Sequence, residues 1–225
     1  MGYLYDGICL KNGRETNMDS LLLFERWVGA SPLMLAVVCD GVGSLTDGAF
    51  ASTQSTKRLS QWFSGLDGTE RLGLRLRDEV LMINRAIKAE SEERALNTAT
   101  TLSALLLEGS RYYIVHAGDS RIYSVGSGGL VQLTIDAVSE TGKLTSYIGR
   151  RDDPSLHYGE GTWEGGVYLL CSDGLNKRVD DGWIYRNVNT SNRRTLRKSL
   201  KILSGHAIEQ DERDNISIAI VKIAV

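Results

Sequence analysis

Five aspartates sit where apolar runs end or in tight glycine turns. They are Asp19 in R-E-T-N-M-D, Asp40 in V-V-C-D-G-V-G, Asp119 in H-A-G-D-S-R, Asp173 in L-L-C-S-D-G-L and Asp214 in R-D-N-I-S. A carboxylate at the tip of a buried strand is costly unless it is solvated or paired. Five gathered in one place repel one another unless cations lie among them. Oxygen-only ligation suits hard divalent ions such as magnesium or manganese.

Asp40-Gly41 is the strongest element. The glycine lets the backbone turn sharply and brings its carbonyl close to an ion. One carboxylate can then bridge two metals while the next carbonyl binds one of them. Asp173-Gly174 repeats the design, and Asp214-Asn215 lies just before the last apolar run. Alone, each is an ordinary turn former; together at strand edges they point to a metal site. Arg14, in the turn before Asp19, offers a planar fork for a phosphate, or is a solvated surface arginine. Asp119 binds an ion, or pairs with Arg121 as structural glue.

Other chemistries fit poorly. His116, His157 and His206 have no partner at metal-ligand spacing and read as structural. Gly41-Val42-Gly43-Ser44 lacks the lysine of a P-loop, and there is no Gly-x-Ser-x-Gly elbow. Cys9, Cys39 and Cys171 lie in apolar runs without ligand spacing and read as small buried hydrophobes in a reducing cytosol. The basic cluster Arg193, Arg194, Arg197, Lys198 and Lys201 is most simply a solvated helix face, although it could contact a phosphoprotein.

These residues need a scaffold. Strands are expected over Tyr3–Leu10, Ser20–Trp27 and Leu33–Cys39. Helices are expected over about Asp47–Phe63 and Glu70–Arg94, with Leu76, Val80, Ile83 and Ile87 on one face. Short strands follow at Thr101–Glu108, Tyr112–Ala117, Arg121–Val125, Leu130–Leu133 and Val167–Ser172. A third long helix, Arg193–Ala207, precedes a last strand, Ile216–Ile223. The order lacks regular β-α-β alternation and reads as antiparallel sheets with helices packed outside, an α+β layered domain.

At 225 residues the chain can bury a substantial core without disulfides. Only Pro32 and Pro154 occur and no linker tract is visible, so residues 1–225 read as one domain. A formal net charge of −2 argues against general attraction to nucleic acid. No signal-peptide pattern and no apolar run of membrane length is found. The expectation is a cytoplasmic monomer that binds neither nucleic acid nor membrane.

The order of motifs resembles the metal-dependent protein phosphatase 2C (PPM) family of serine/threonine phosphatases in its bacterial form. R-E-T-N-M-D-S, V-V-C-D-G-V-G-S with G-A-F-A-S, A-T-T-L-S-A-L, H-A-G-D-S-R-I-Y, L-T-S-Y-I-G, L-L-C-S-D-G-L and D-N-I-S-I-A-I-V follow one another from Gly7 to Lys222. The resemblance implies a four-layer αββα sandwich, two central antiparallel sheets flanked by helices. It implies that Asp40 bridges two Mn2+ or Mg2+ ions, with Gly41 adding its carbonyl, and that Asp173 and Asp214 complete the metal set. Asp19 matches the carboxylate that holds metal-bound water, Arg14 the phosphate-binding arginine, and Asp119 the residue that shares a third, weaker ion with Asp173. The implied substrates are phosphorylated proteins, opposing a serine/threonine kinase.

Three departures stand out. Val42 replaces the histidine found after the D-G pair in many eukaryotic members. The usual glycine pair is altered to Gly43-Ser44. Between Leu133-Thr134 and Leu144-Thr145 only Ile135–Lys143 remains of the longer helical flap usual in bacterial relatives. The leading expectation is phosphomonoester hydrolysis by water activated between two metals. A catalytically weak or inactive binding module of the same fold is the alternative. A phosphatase dedicated to one regulatory partner is a third reading.

Overall fold

The computed structural model describes residues 2–162, 166–188 and 190–224. Ten strands form two five-stranded antiparallel sheets. The first has the order β1 (Gly2–Leu10), β10 (Ile216–Ala224), β9 (Val167–Cys171), β6 (Arg121–Gly126), β7 (Gly129–Gln132). The second runs β2 (Ser20–Val28), β3 (Ser31–Cys39), β4 (Leu102–Glu108), β5 (Arg111–Ala117), β8 (His157–Thr162). Helices α1 (Gly48–Ser64) and α2 (Leu72–Glu93) cover one outer face. The short α3 (Asp173–Asn176) and α4 (Asp181–Asn187), with the long α5 (Arg193–Glu209), cover the other. The αββα layering expected from the sequence is the observed one.

The period-two rule of a strand explains the layers. In β3, Leu33, Leu35, Val37 and Cys39 face α1 and α2, where they meet Leu59, Phe63, Leu76, Val80, Ile83 and Ile87. Met34, Ala36 and Val38 point the other way, between the sheets, against Tyr168, Leu170, Ala219 and Val221. The strand is buried on both faces, and hence its unbroken apolar run. Each such Leu, Ile or Val contributes about 1.5–3 kcal/mol by leaving water. In β9, Leu169 and Cys171 pack instead under Leu196, Leu200, Leu203 and Ala207 of α5. Asn192 begins α5 with a capping box: its side chain accepts from Thr195 N–H at 3.0 Å, and Thr195 Oγ1 accepts from Asn192 N–H at 3.0 Å.

Three elements, β8 and the short helices α3 and α4, have no counterpart in the sequence expectations. Strand β8, H-Y-G-E-G-T, carries no apolar run, because it is an edge strand. Gly161 lies against the Tyr112 ring, where a Cβ would come within 2.7 Å of the hydroxyl. Helix α4 is too short to show a period; Asp180 caps it, accepting from Trp183 N–H at 2.9 Å.

Strand register delivers the carboxylates to one edge. Ser20 pairs with Cys39, so Asp19 and Asp40 are the next opposed pair beyond it. Cys171 pairs with Arg121, and continuing that register brings Asp173 opposite Asp119. Ile216 pairs with Leu10, which places Asp214 beside the loop that carries Arg14.

Candidate metal centre

A cleft of about 300 Å³ opens at this shared edge. Asp40, Asp119, Asp173 and Asp214 line it, with Arg14, Gly41, Thr101, Lys177 and Asn215. Four of the five sequence-predicted aspartates, with Gly41 and Arg14, are therefore brought together. Asp19 lies just behind the cleft and is 7% exposed.

Asp40 is held through its backbone. Its N–H donates to Thr101 Oγ1 at 3.0 Å, and its carbonyl accepts from Thr101 N–H at 2.8 Å and Thr100 Oγ1 at 2.9 Å. Its carboxylate is left to face the cleft. Gly41 is dictated by space, since a Cβ there would lie 2.7 Å from backbone atoms of Gly48 and Met18. Gly174 is tighter still, with Asn215 O 2.1 Å from where a Cβ would be. Each Asp-Gly pair thus allows a second chain segment to approach closely.

Asp214 is gripped by Arg14, whose Nε and Nη2 donate to Oδ1 and Oδ2 at 2.8 and 2.5 Å. Asn215 anchors the loop between β1 and β2. Its Nδ2 donates to the carbonyls of Lys11 and Thr16 at 2.8 and 3.1 Å, and its Oδ1 accepts from Met18 N–H at 2.8 Å. Asp19 Oδ2 accepts from Ser172 Oγ at 2.9 Å, whereas Asp19 Oδ1 is buried without a hydrogen-bond partner.

The electrostatics are those of crowded acids. Burial, then Asp19 and Asp173, pushes Asp40 well above the usual carboxylate range. Burial raises Asp19 to about 6, against the pull of the nearby Ser217 and Ser172 hydroxyls. Asp119 is raised by burial and Asp173, with Lys177 opposing. Burial also pushes Asp214 up, but Arg14 and the Asn215 N–H outweigh it and hold it below the ordinary value. Metal-free, the cleft favours protons on acids that would otherwise be ionised.

An oxygen-only donor set and an orphaned buried carboxylate oxygen, Asp19 Oδ1, fit hard divalent cations. Among the described residues no three potential ligands already converge as a closed metal cage. Ion pairs already engage three of the acids: Arg14 holds Asp214, and Lys177 reaches both Asp173 and Asp119.

One expectation needs correction. Arg121 does not pair with Asp119; its guanidinium grips Asp136 at 2.8–3.1 Å. The expected fork of Arg14 is engaged with Asp214. Sequence reasoning also missed Lys177, Thr101 and Asn215. For Lys177 the available signal was its i+4 spacing from Asp173. The three cysteines are free, and Cys39 and Cys171 are fully buried with thiols pushed up by that burial. His116 is buried and neutral, pushed down to about 4 by that burial, and bonds Ser103 Oγ at 2.9 Å. The shortened flap forms a tight loop in which Val138 bridges Leu144 and Thr145 N–H donates to Ala137 O at 2.7 Å. Among the described residues no helix is long and apolar enough to cross a membrane.

The family model described as Protein phosphatase 2C matches residues 12–205. The serine/threonine protein phosphatase PstP of Mycobacterium tuberculosis is 33% identical over 190 residues, 75% of this chain but only 35% of that protein. The chain thus spans about a third of the length of that curated relative. The serine/threonine phosphatase stp of Listeria welshimeri is 27% identical, covering 84% of each chain. A crystal structure of a bacterial serine phosphatase superposes with a TM-score of 0.89 at 22% identity, covering 98% of this chain and 97% of that one, a likeness of fold.

Proposed function

We propose a function from one premise: the chain belongs to the protein phosphatase 2C family. It hydrolyses phosphoserine and phosphothreonine monoesters on proteins. The observation that carries this reading is the gathering of Asp40, Asp119, Asp173 and Asp214, remote in sequence, around one cleft with Arg14 at its rim. Two divalent ions, Mn2+ or Mg2+, would supply a water acidic enough to attack phosphorus directly.

The chain's own residues do the rest. Asp40, Asp173, Asp214 and the Gly41 carbonyl would hold the two ions. Asp19 uses its unpartnered oxygen to orient water from behind. Asp119 and Asp173 are the acids that a third cation, if bound, would share. Arg14 exchanges Asp214 for the phosphate, spreading charge that grows on the equatorial oxygens. No covalent intermediate on a cysteine is required, in keeping with the burial of Cys39 and Cys171.

Residues 1–225 act as one domain, supported by the core shared between both sheets. The free cysteines suit a reducing compartment, so the protein works in the cytoplasm, as a monomer, against a serine/threonine kinase.

A second reading, a binding module of this fold without turnover, draws on Arg14 and Lys177 already neutralising the carboxylates. Phosphate release from phosphoserine, phosphothreonine and phosphotyrosine peptides, with chelator or with added Mn2+ or Mg2+, separates the two. Turnover of the serine and threonine peptides that needs metal supports the enzyme. Metal-loaded protein without turnover supports the module.

A further inference from the structure

The Lys177 ammonium lines the cleft, and the two-ion chemistry does not use it. It contacts Asp173 Oδ2 closely and lies 3.7 Å from Asp119 Oδ2. We propose that Lys177 takes the place of a third cation, so that this chain is built to hold two divalent ions rather than three. The proposal rests on the two-ion reading above and deepens it.

Three observations carry it. First, the backbone fixes the lysine where it can reach both acids. Lys177 N–H donates to Asp173 O at 3.0 Å, closing the α3 turn and placing the two side chains on one face. Asn176 Nδ2 donates to Asp119 O at 3.3 Å, tying the end of α3 to the β5–β6 turn. Second, among the described residues no other cation is placed to serve both acids. Arg121, two residues from Asp119, is spent on Asp136, and Arg14 on Asp214. Third, the two acids are well buried, each side chain 15% exposed, and the Lys177 ammonium lies between their Oδ2 atoms, on the ground a further cation shared by them would occupy. A divalent ion on the same two carboxylates would have to expel the ammonium, since like charges at that separation repel strongly.

The Lys177 side chain is 59% exposed, so substitutions there leave the core intact. The test counts Mn2+ bound per chain by equilibrium dialysis, without any assay of turnover. Wild type, Lys177→Met, Lys177→Asn and each combined with Asp119→Asn are compared, with circular dichroism to verify folding. Either single change is expected to add one weaker ion, and Asp119→Asn is expected to remove it again. Asp119→Asn alone is expected to remove none. If neither Lys177 variant gains an ion, or if Asp119→Asn costs the wild-type chain one, the proposal falls. The count that is independent of Asp119 tests the two-ion centre separately: fewer than two would sink that reading without deciding the role of Lys177.

Discussion

The space between the sheets and the cleft at their edge are built from the same strands and solve opposite problems. Between the sheets, Val38, Leu105, Leu170 and Val221 meet as apolar surfaces with no charge to satisfy. Two residues past Val38, and three past Leu170, the chain places Asp40 and Asp173 in one cleft, where burial and like charge oppose the ionisation of Asp40. Packing stabilises the first region by itself. The second is strained electrostatically until cations enter, which is what a binding site held open by a rigid frame looks like.

The sharpest break of this comparison is Asp173→Asn. It is expected to reduce kcat/KM by on the order of 10³-fold, as loss of a charge-stabilising group in a dry site does. The fold should persist, and near-native activity with saturating Mn2+ would show that Asp173 is no ligand. Its companion, Asp40→Asn, should raise the melting temperature of metal-free protein at pH 7, because it removes a carboxylate whose ionisation the site resists. A fall in that temperature would contradict the picture of stored repulsion.

The contrasting change is Leu170→Ala, between the sheets. It should cost about 2–5 kcal/mol of stability, measured by urea unfolding, while the folded fraction keeps its kcat/KM. Loss of activity in excess of unfolding would mean that packing and site are not separable in this way.

Much of this division was legible in the chain. Strands β1 to β7, β9 and β10 and the three long helices announced themselves by their apolar runs, with ends shifted by a residue or two. The aspartates stood out because a carboxylate after a run such as Leu33–Cys39 has no packing rationale. Edge strand β8 was not legible, because pairing on one side needs no apolar pattern. Nor were the partners of the charges. Whether Arg121 meets Asp119 or Asp136 depends on how the segment after β7 folds back, and spacing does not encode that. Lys177 was not singled out in the sequence, because it reaches both acids only once strand register brings Asp119 beside Asp173.

A smaller effect is expected from Arg14→Ala. Loss of a charged hydrogen bond to phosphate should cost about 1.5–3 kcal/mol, roughly tenfold to 100-fold in kcat/KM. Because the change also frees Asp214, Mn2+ should bind more tightly to the variant in calorimetry. Unchanged kcat/KM would leave Arg14 as a clamp on Asp214 and nothing more.

The smallest expected effect is in protons. Asp19 titrates near 6 and Asp40 and Asp119 are raised, so cations must displace protons that these acids retain in mildly acidic solution. The sign follows: folding binds protons here, so these acids make the metal-free protein less stable as pH rises from their unfolded values through their folded ones. Metal should therefore bind more tightly as pH rises through about 6, with more protons released per ion below that pH than above it. Calorimetry in buffers of different ionisation enthalpy measures this release; equal release at pH 5.5 and 8 would deny the acids their raised values.

The most direct test of the central claim is anomalous diffraction from crystals soaked in Mn2+. Two peaks about 3.5–4 Å apart, both touching Asp40 and with Asp173 and Asp214 in contact, are the predicted result. Fully active protein whose crystals show no manganese at Asp40 would contradict it.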